Sequence, residues 1–144
     1  MELPQTGGCI CGAVRYEITQ APVSVYTCHC TDCQRATVSA FSIGVAVPGE
    51  AFRLSGKELQ PAPGGVTAGG RPKTRWICAD CGIGVIGGVK PGTEPLGYIR
   101  VVRAGTLDDT SWVRPTTHYW TRSKQPWVIL PDGGTVYETQ PDRA

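Results

Sequence analysis

The sequence predicts a small, mainly β domain stapled by metal, and three observations carry that expectation. Of its 144 residues, 19 are Gly and 12 are Pro, a density that breaks the backbone into turns and short strands rather than long helices. The apolar stretches between these breakers are short and rich in Val, Ile and Tyr, residues that suit a pleated, half-buried surface. Seven cysteines fall in three tight clusters, the pattern of a chain clipped together through side-chain ligands. The length suits one core, so 1–144 is read as a single domain.

The strand-like pieces are residues 13–19, 23–27, 41–47 and 96–103, expected to pair as antiparallel sheet. Residues 31–36 form the one plausible helical turn, with Thr31 or Asp32 able to cap it. The stretch QPAPGGVTAGG over 60–70 is expected to be a mobile loop within the domain, since it must be spanned to return Cys78 to Cys9. Trp76, Trp120 and Trp127 are expected in the core. No heptads or internal repeats occur. Gly82-x-Gly84-x-x-Gly87, with Asp108 downstream, fits a dinucleotide fingerprint by letter. The first Gly belongs to a cysteine knuckle, however, and Val85-Ile86 reads as strand, not as the start of a helix.

A formal charge of +2, with Lys and Arg scattered, does not make the basic footprint of a nucleic-acid binder. The N-terminal MELPQTGG carries neither a basic segment nor an apolar run behind it, so no secretory signal is expected. The longest uncharged run, 36–49, is shorter than the ~18 apolar residues of a membrane span and contains Thr37, Ser39 and Ser42. The chain has no Asn, hence no N-glycosylation acceptor. The expectation is a cytoplasmic protein with neither nucleic-acid nor membrane partners.

An odd number of cysteines in a reducing compartment points to metal ligation, not to disulfides. The clusters are Cys9-x-Cys11, Cys28-His29-Cys30-x-x-Cys33 and Cys78-x-x-Cys81-Gly82. In extended backbone, residues i and i+2 share a face, so Cys9/Cys11 and Cys28/Cys30 can each offer two sulfurs to one ion. Gly82 supplies the positive φ with which a Cys-x-x-Cys knuckle reverses around its metal. The trio Cys28, Cys30 and Cys33 can reach one ion by itself, leaving Cys9, Cys11, Cys78 and Cys81 for a closed tetrahedral zinc site. Three protein ligands leave a position open, as a catalytic Zn2+ requires. The other partition joins Cys9/Cys11 to the middle cluster and leaves the Cys78/Cys81 knuckle incomplete.

The order Gly8-Cys9-x-Cys11-Gly12, Cys28-His29-Cys30-x-x-Cys33, Arg75-Trp76-Ile77-Cys78-x-x-Cys81-Gly82 resembles the glutathione-dependent formaldehyde-activating enzyme family, whose domain is shared with centromere protein V. Ala104-Gly105-Thr106-Leu107-Asp108-Asp109, Pro115-x-x-His118 and Pro126-Trp127 resemble its C-terminal signature, so the likeness spans about residues 7–130. The resemblance implies a β-tent, Mss4-like fold, a structural zinc on the outer four cysteines and an open zinc on Cys28, Cys30 and Cys33. It implies a carbon–sulfur lyase-type reaction in which a small thiol such as glutathione adds to a small carbonyl such as formaldehyde, the three cysteines forming the catalytic centre. Arg35, Arg75 and Arg103 are candidates to pair with the carboxylates of the thiol. A non-enzymatic zinc module that binds a protein partner is the rival reading, and zinc storage or sensing a third. The chain departs from the family pattern at Gln34-Arg35-Ala36-Thr37-Val38, where Arg-Lys-Ala-Ser-Gly is common, and at Ile77 and Ile83. His29, between two ligand cysteines, is expected to point away from the metal and pack; His118 either faces the pocket or is a hydrogen-bonded core residue.

Overall fold

A computed structural model describes residues 1–63, 66, 70 and 74–141. The strands are β1 (Gln5–Gly8), β2 (Val14–Ile18), β3 (Ser24–Cys28), β4 (Ser42–Pro48), β5 (Phe52–Gly56), β6 (Leu59–Pro61), β7 (Arg75–Cys78), β8 (Gly84–Gly87), β9 (Ile99–Arg103), β10 (Thr117–Tyr119) and β11 (Thr135–Val136). One α-helix, α1 (Thr31–Thr37), joins β3 to β4. The chain is therefore mainly β. A three-stranded sheet has the order β1-β2-β5, and an eight-stranded sheet has the order β11-β10-β3-β4-β9-β8-β7-β6.

The alternation in β2 sets the first sheet's inner face. Val14, Tyr16 and Ile18 are buried, while Arg15 and Glu17 look outward, as a period-2 strand with one solvated side requires. Arg15 pairs with Asp108, which also accepts from Thr6 Oγ1 at 2.7 Å, so the acidic residue of the apparent dinucleotide fingerprint is a surface tie. Gly84–Gly87 of that fingerprint is strand β8. The second sheet adds Val45, Val47, Cys78, Val85, Ile86 and Val102 to the same core, which Cys9 joins from the turn after β1.

The expected antiparallel sheet needs one correction. β10 pairs in parallel with both β3 and β11, so the larger sheet is mixed. Parallel neighbours need a long crossover, here from β3 through most of the chain to β10, and no local pattern announces it. Two other expectations also change. Gln60 and Pro61 lie in β6, paired with Ile77 and Trp76 of β7; residues 64, 65 and 67–69 of the expected 60–70 loop lie outside the described residues. Trp127 is 69% exposed and donates to Gln125 Oε1 at 2.7 Å, because it follows a Pro-bearing turn on the surface. Trp76 packs against the core, as does Trp112, whose Nε1 donates to Gln5 Oε1 at 2.9 Å. Trp120 is partly exposed, with the Arg122 guanidinium over its ring.

Helix α1 is capped by Cys30, not by Thr31 or Asp32: its sulfur accepts from the Cys33 amide at 3.3 Å. At the other end, Val38 sits in left-handed backbone with φ 51 and is 90% exposed. It lines a shallow groove with Arg35 and Trp127. A β-branched residue there bears a steric cost of about 1–2 kcal/mol that Gly avoids. Val38→Gly is accordingly expected to stabilise the protein by ~1 kcal/mol after glycine's greater chain entropy is subtracted, read as a higher urea midpoint with unchanged slope.

Candidate metal centres and adjoining pockets

The sulfurs form two groups: Cys9, Cys11, Cys78 and Cys81 in one, Cys28, Cys30 and Cys33 in the other, with the ligand atoms in each all within 4.8 Å of one another. This is the four-plus-three division read from the spacing, and the alternative that joins Cys9/Cys11 to the middle cluster is not the observed grouping.

The four-sulfur group lies where two hairpins meet tip to tip. Cys9 and Cys11 occupy the turn between β1 and β2, a reversal instead of the extended backbone expected of a Cys-x-Cys pair; Gly12 has φ +81 and donates to Cys9 O at 3.2 Å. Cys78 and Cys81 occupy the turn between β7 and β8, where Gly82 has φ +77 and donates to Cys78 O at 2.8 Å. Both reversals need the left-handed conformation that glycine adopts without steric cost. Backbone amides point at the sulfurs, Val14 N to Cys9 Sγ at 3.3 Å and Asp80 N to Cys78 Sγ at 3.4 Å. Burial opposes ionisation of Cys9, yet the Val14 amide and the three neighbouring sulfurs bring its pKa down to about 6. Tetrahedral ligands at the usual zinc–sulfur length stand ~3.8 Å apart. Cys9 and Cys11 Sγ are 3.5 Å apart, and Cys11 and Cys78 Sγ 3.7 Å. The donor set fits zinc, and a metal there would tie the three-stranded sheet to the eight-stranded one.

The three-sulfur group is built locally. Cys28 ends β3, Cys30 caps α1 and Cys33 lies in the first turn of α1. Cys28 is buried, and the other two are partly exposed. Crowding of the thiols separates their acidities. Hydrogen bonding from Cys28 and Cys30 pulls Cys33 down to about 2, helped by the Ser42 hydroxyl and the Arg103 charge, while the same crowding and burial push Cys28 up. Three sulfurs drawn together around a thiolate fit a divalent ion, with no fourth protein ligand among the described residues.

Both histidines are packed. His29 and His118 are fully buried, and each bonds the same hydroxyl, Thr27 Oγ1, at 3.0 Å from His29 Nε2 and 2.7 Å from His118 Nδ1. His29 also lies against the Phe41 ring, with centroids 5.0 Å apart. The clamp ties β3 to β10 one residue before Cys28.

A cavity of about 430 Å³ opens over Cys28 and Cys33, bordered by Tyr26, Ser42, Arg103 and Tyr119. Burial pushes the Tyr26 hydroxyl up to about 12, so it stays a neutral hydrogen-bonding group. Arg103 belongs to this cavity; Arg75 does not, but shares with Arg103 and Ser42 an adjoining chamber of about 360 Å³. Arg35 lies elsewhere, in a shallow groove with Val38 and Trp127. Ser42, Tyr26 and Tyr119 were not legible as site residues. Their places follow from the register that sets Ser42 opposite Cys28 in β4 and Tyr119 opposite Cys28 in β10.

A family model described as glutathione-dependent formaldehyde-activating enzyme matches residues 4–123. Among solved structures, a crystal structure of a Rhodobacter sphaeroides protein from a structural genomics effort is similar, with TM-score 0.50 and 17% identity over 92% of this chain and 98% of that one. That likeness bears on the fold alone. No curated protein matches the chain. Among the described residues, no helix is long and apolar enough to cross a membrane.

Proposed function

Because the chain belongs to the glutathione-dependent formaldehyde-activating enzyme family, we propose that it is a zinc-dependent carbon–sulfur lyase-type enzyme that joins a small thiol such as glutathione to a small carbonyl such as formaldehyde. The observation that supports this reading is the three-sulfur group with a cavity opening onto two of its sulfurs. Cys28, Cys30 and Cys33 would hold one zinc ion and Cys9, Cys11, Cys78 and Cys81 a second. Zinc bound to the trio supplies an open coordination position at which a thiol is kept as its thiolate.

The chain's own residues do the rest. Arg103, free of any salt bridge among the described residues, places a cation beside the trio and is positioned to pair with a carboxylate of the incoming thiol. Tyr26, Tyr119 and Ser42 wall the cavity. A free thiol is already a few per cent thiolate at pH 7, so ionisation gains only about thirtyfold. Holding sulfur and carbonyl carbon in contact is the larger lever, roughly 7 kcal/mol in favourable cases.

The test is zinc K-edge absorption during titration with glutathione. Mean sulfur coordination per zinc is expected to rise from about 3.5 to 4 as the trio's ion takes a fourth sulfur. An unchanged spectrum at saturating glutathione sinks the thiol reading and leaves a zinc module of another kind.

A further inference from the structure

Beyond Ser42 the site continues. Ser42 and Arg103 border both the cavity over the trio and the adjoining chamber, so the two spaces meet at a hydroxyl and a guanidinium. Ser42 is buried, at 1% exposure; its hydroxyl lies close enough to Cys33 to favour that thiolate, yet its Oγ meets no partner in hydrogen-bond geometry, and a buried hydroxyl without a well-placed partner marks a place where a ligand atom completes it. The chamber's lining is largely apolar, with Phe41, Ile43, Ile83 and Ile86 beside the hydroxyl-bearing Thr37 and Thr106. Among the described residues its charges are Arg75 and Arg103, with no acidic side chain in the lining. Arg75 Nε is also buried and unpartnered.

Size and charge decide what fits. A volume of about 360 Å³ lies within the range of small-molecule sites, roughly 300–1,000 Å³, and formaldehyde, at about the scale of one or two waters of ~30 Å³ each, leaves it mostly empty. Neither arm of glutathione suits it: the γ-glutamyl arm carries an ammonium that no acidic group among the described lining residues would meet, and the glycyl arm offers little apolar surface. The cavity on the other side of Ser42 has its own room for the thiol. The geometry points to an aldehyde with an apolar body and a carboxylate as the second reactant, its body on the four apolar side chains, its carboxylate on Arg75 and its carbonyl oxygen at Ser42 Oγ. The inference rests on the thiol reading above and deepens it.

The step is balanced without any further reactant. The thiolate sulfur bonds to the carbonyl carbon as the π pair moves onto oxygen. That oxygen takes up the proton the thiol lost on ionising, with the Ser42 hydroxyl hydrogen-bonded to it. The product is a hydroxyalkyl thioether.

Benzoate, which cannot react, and neutral benzyl alcohol are the binding probes, titrated calorimetrically into the zinc-loaded protein. Benzoate is expected to bind at least about tenfold more tightly, and Arg75→Met to remove that preference, the size of one charge-assisted hydrogen bond. With glutathione present, 4-formylbenzoate is expected to outpace benzaldehyde in thioether formation, and Ser42→Ala to slow the reaction about tenfold or more without lowering benzoate affinity. If Arg75→Met does not fold, Ile83→Trp, which fills the chamber, is expected to abolish benzoate binding while the zinc spectrum still responds to glutathione. Equal binding of benzoate and benzyl alcohol, or benzoate binding unmoved by both chamber substitutions, overturns the assignment even where the response to glutathione stands. A zinc spectrum that ignores glutathione overturns the thiol reading and with it the aldehyde's role as reactant, whatever benzoate does.

Discussion

Exchange of Cys78 for serine is expected to leave the chain without a cooperatively folded state. Cys78 is fully buried in the core cluster, and its sulfur lies 3.7 Å from that of Cys11, contributed by the other hairpin. Serine replaces a soft thiolate ligand with a hydroxyl and leaves three sulfurs for a closed site that needs four. Structural zinc contributes about 10–16 kcal/mol of apparent binding energy in small peptides, while a domain of this size is stable by only ~5–15 kcal/mol. Loss of the ion is therefore comparable with the whole of the protein's stability. Core contacts between the sheets do not offset it: many core side chains are Val and Ala, each worth only a few kcal/mol at most. Near-UV circular dichroism and zinc stoichiometry check the outcome. A variant that still unfolds cooperatively within about 2 kcal/mol of the parent would show that the sheets pack without their staple.

The grouping of the cysteines was legible in the sequence because most of its geometry is local. Cys28, Cys30 and Cys33 are held by one strand end and one helical turn, and Cys78, Cys81 and Gly82 by one hairpin, so spacing carries most of the information. Strands β2, β3, β4 and β9 were legible for the same kind of reason, since runs such as VRYEI and IRVVR favour extended backbone by themselves. β1 was not. Its residues QTGG contain no strong strand former, and its extended form comes from pairing with β2, from Gln5 opposite Ile18 to Gly8 opposite Arg15. The parallel placement of β10 beside β3 depends on a crossover of nearly ninety residues, to which a window of ten is blind. Ser42 and Arg103 reach the trio through sheet register, a non-local property, and so the pockets were the least legible part of the site. Of the three arginines suggested by charge alone, register brings Arg103 and Arg75 to the two adjoining spaces and leaves Arg35 on the outer face of α1.

Cys30→Ser provides the opposite result to Cys78→Ser, and the contrast between them separates the two sites. Cys30 accepts the Cys33 amide as the cap of α1, and serine is among the best residues at that position, so the helix keeps its start at a cost of about 1 kcal/mol or less. The surrounding backbone is pinned without metal. Gln34 Nε2 donates to His29 O at 2.8 Å and to Ser123 O at 3.0 Å, the His29 amide donates to Tyr119 O at 3.0 Å, and Thr27 clamps both histidines. A hydroxyl, however, is a far weaker zinc ligand than a thiolate, and two remaining sulfurs do not hold an ion with an open position. The expected protein is folded, melts within a few degrees of the parent, carries one zinc per chain and turns over thiol and aldehyde at the uncatalysed rate. One zinc by elemental analysis with an intact dispersed NMR spectrum, alongside lost activity, is the signature. Global unfolding would mean that the trio staples the fold as the outer four do, and two zinc ions with full activity would place the chemistry away from Cys30.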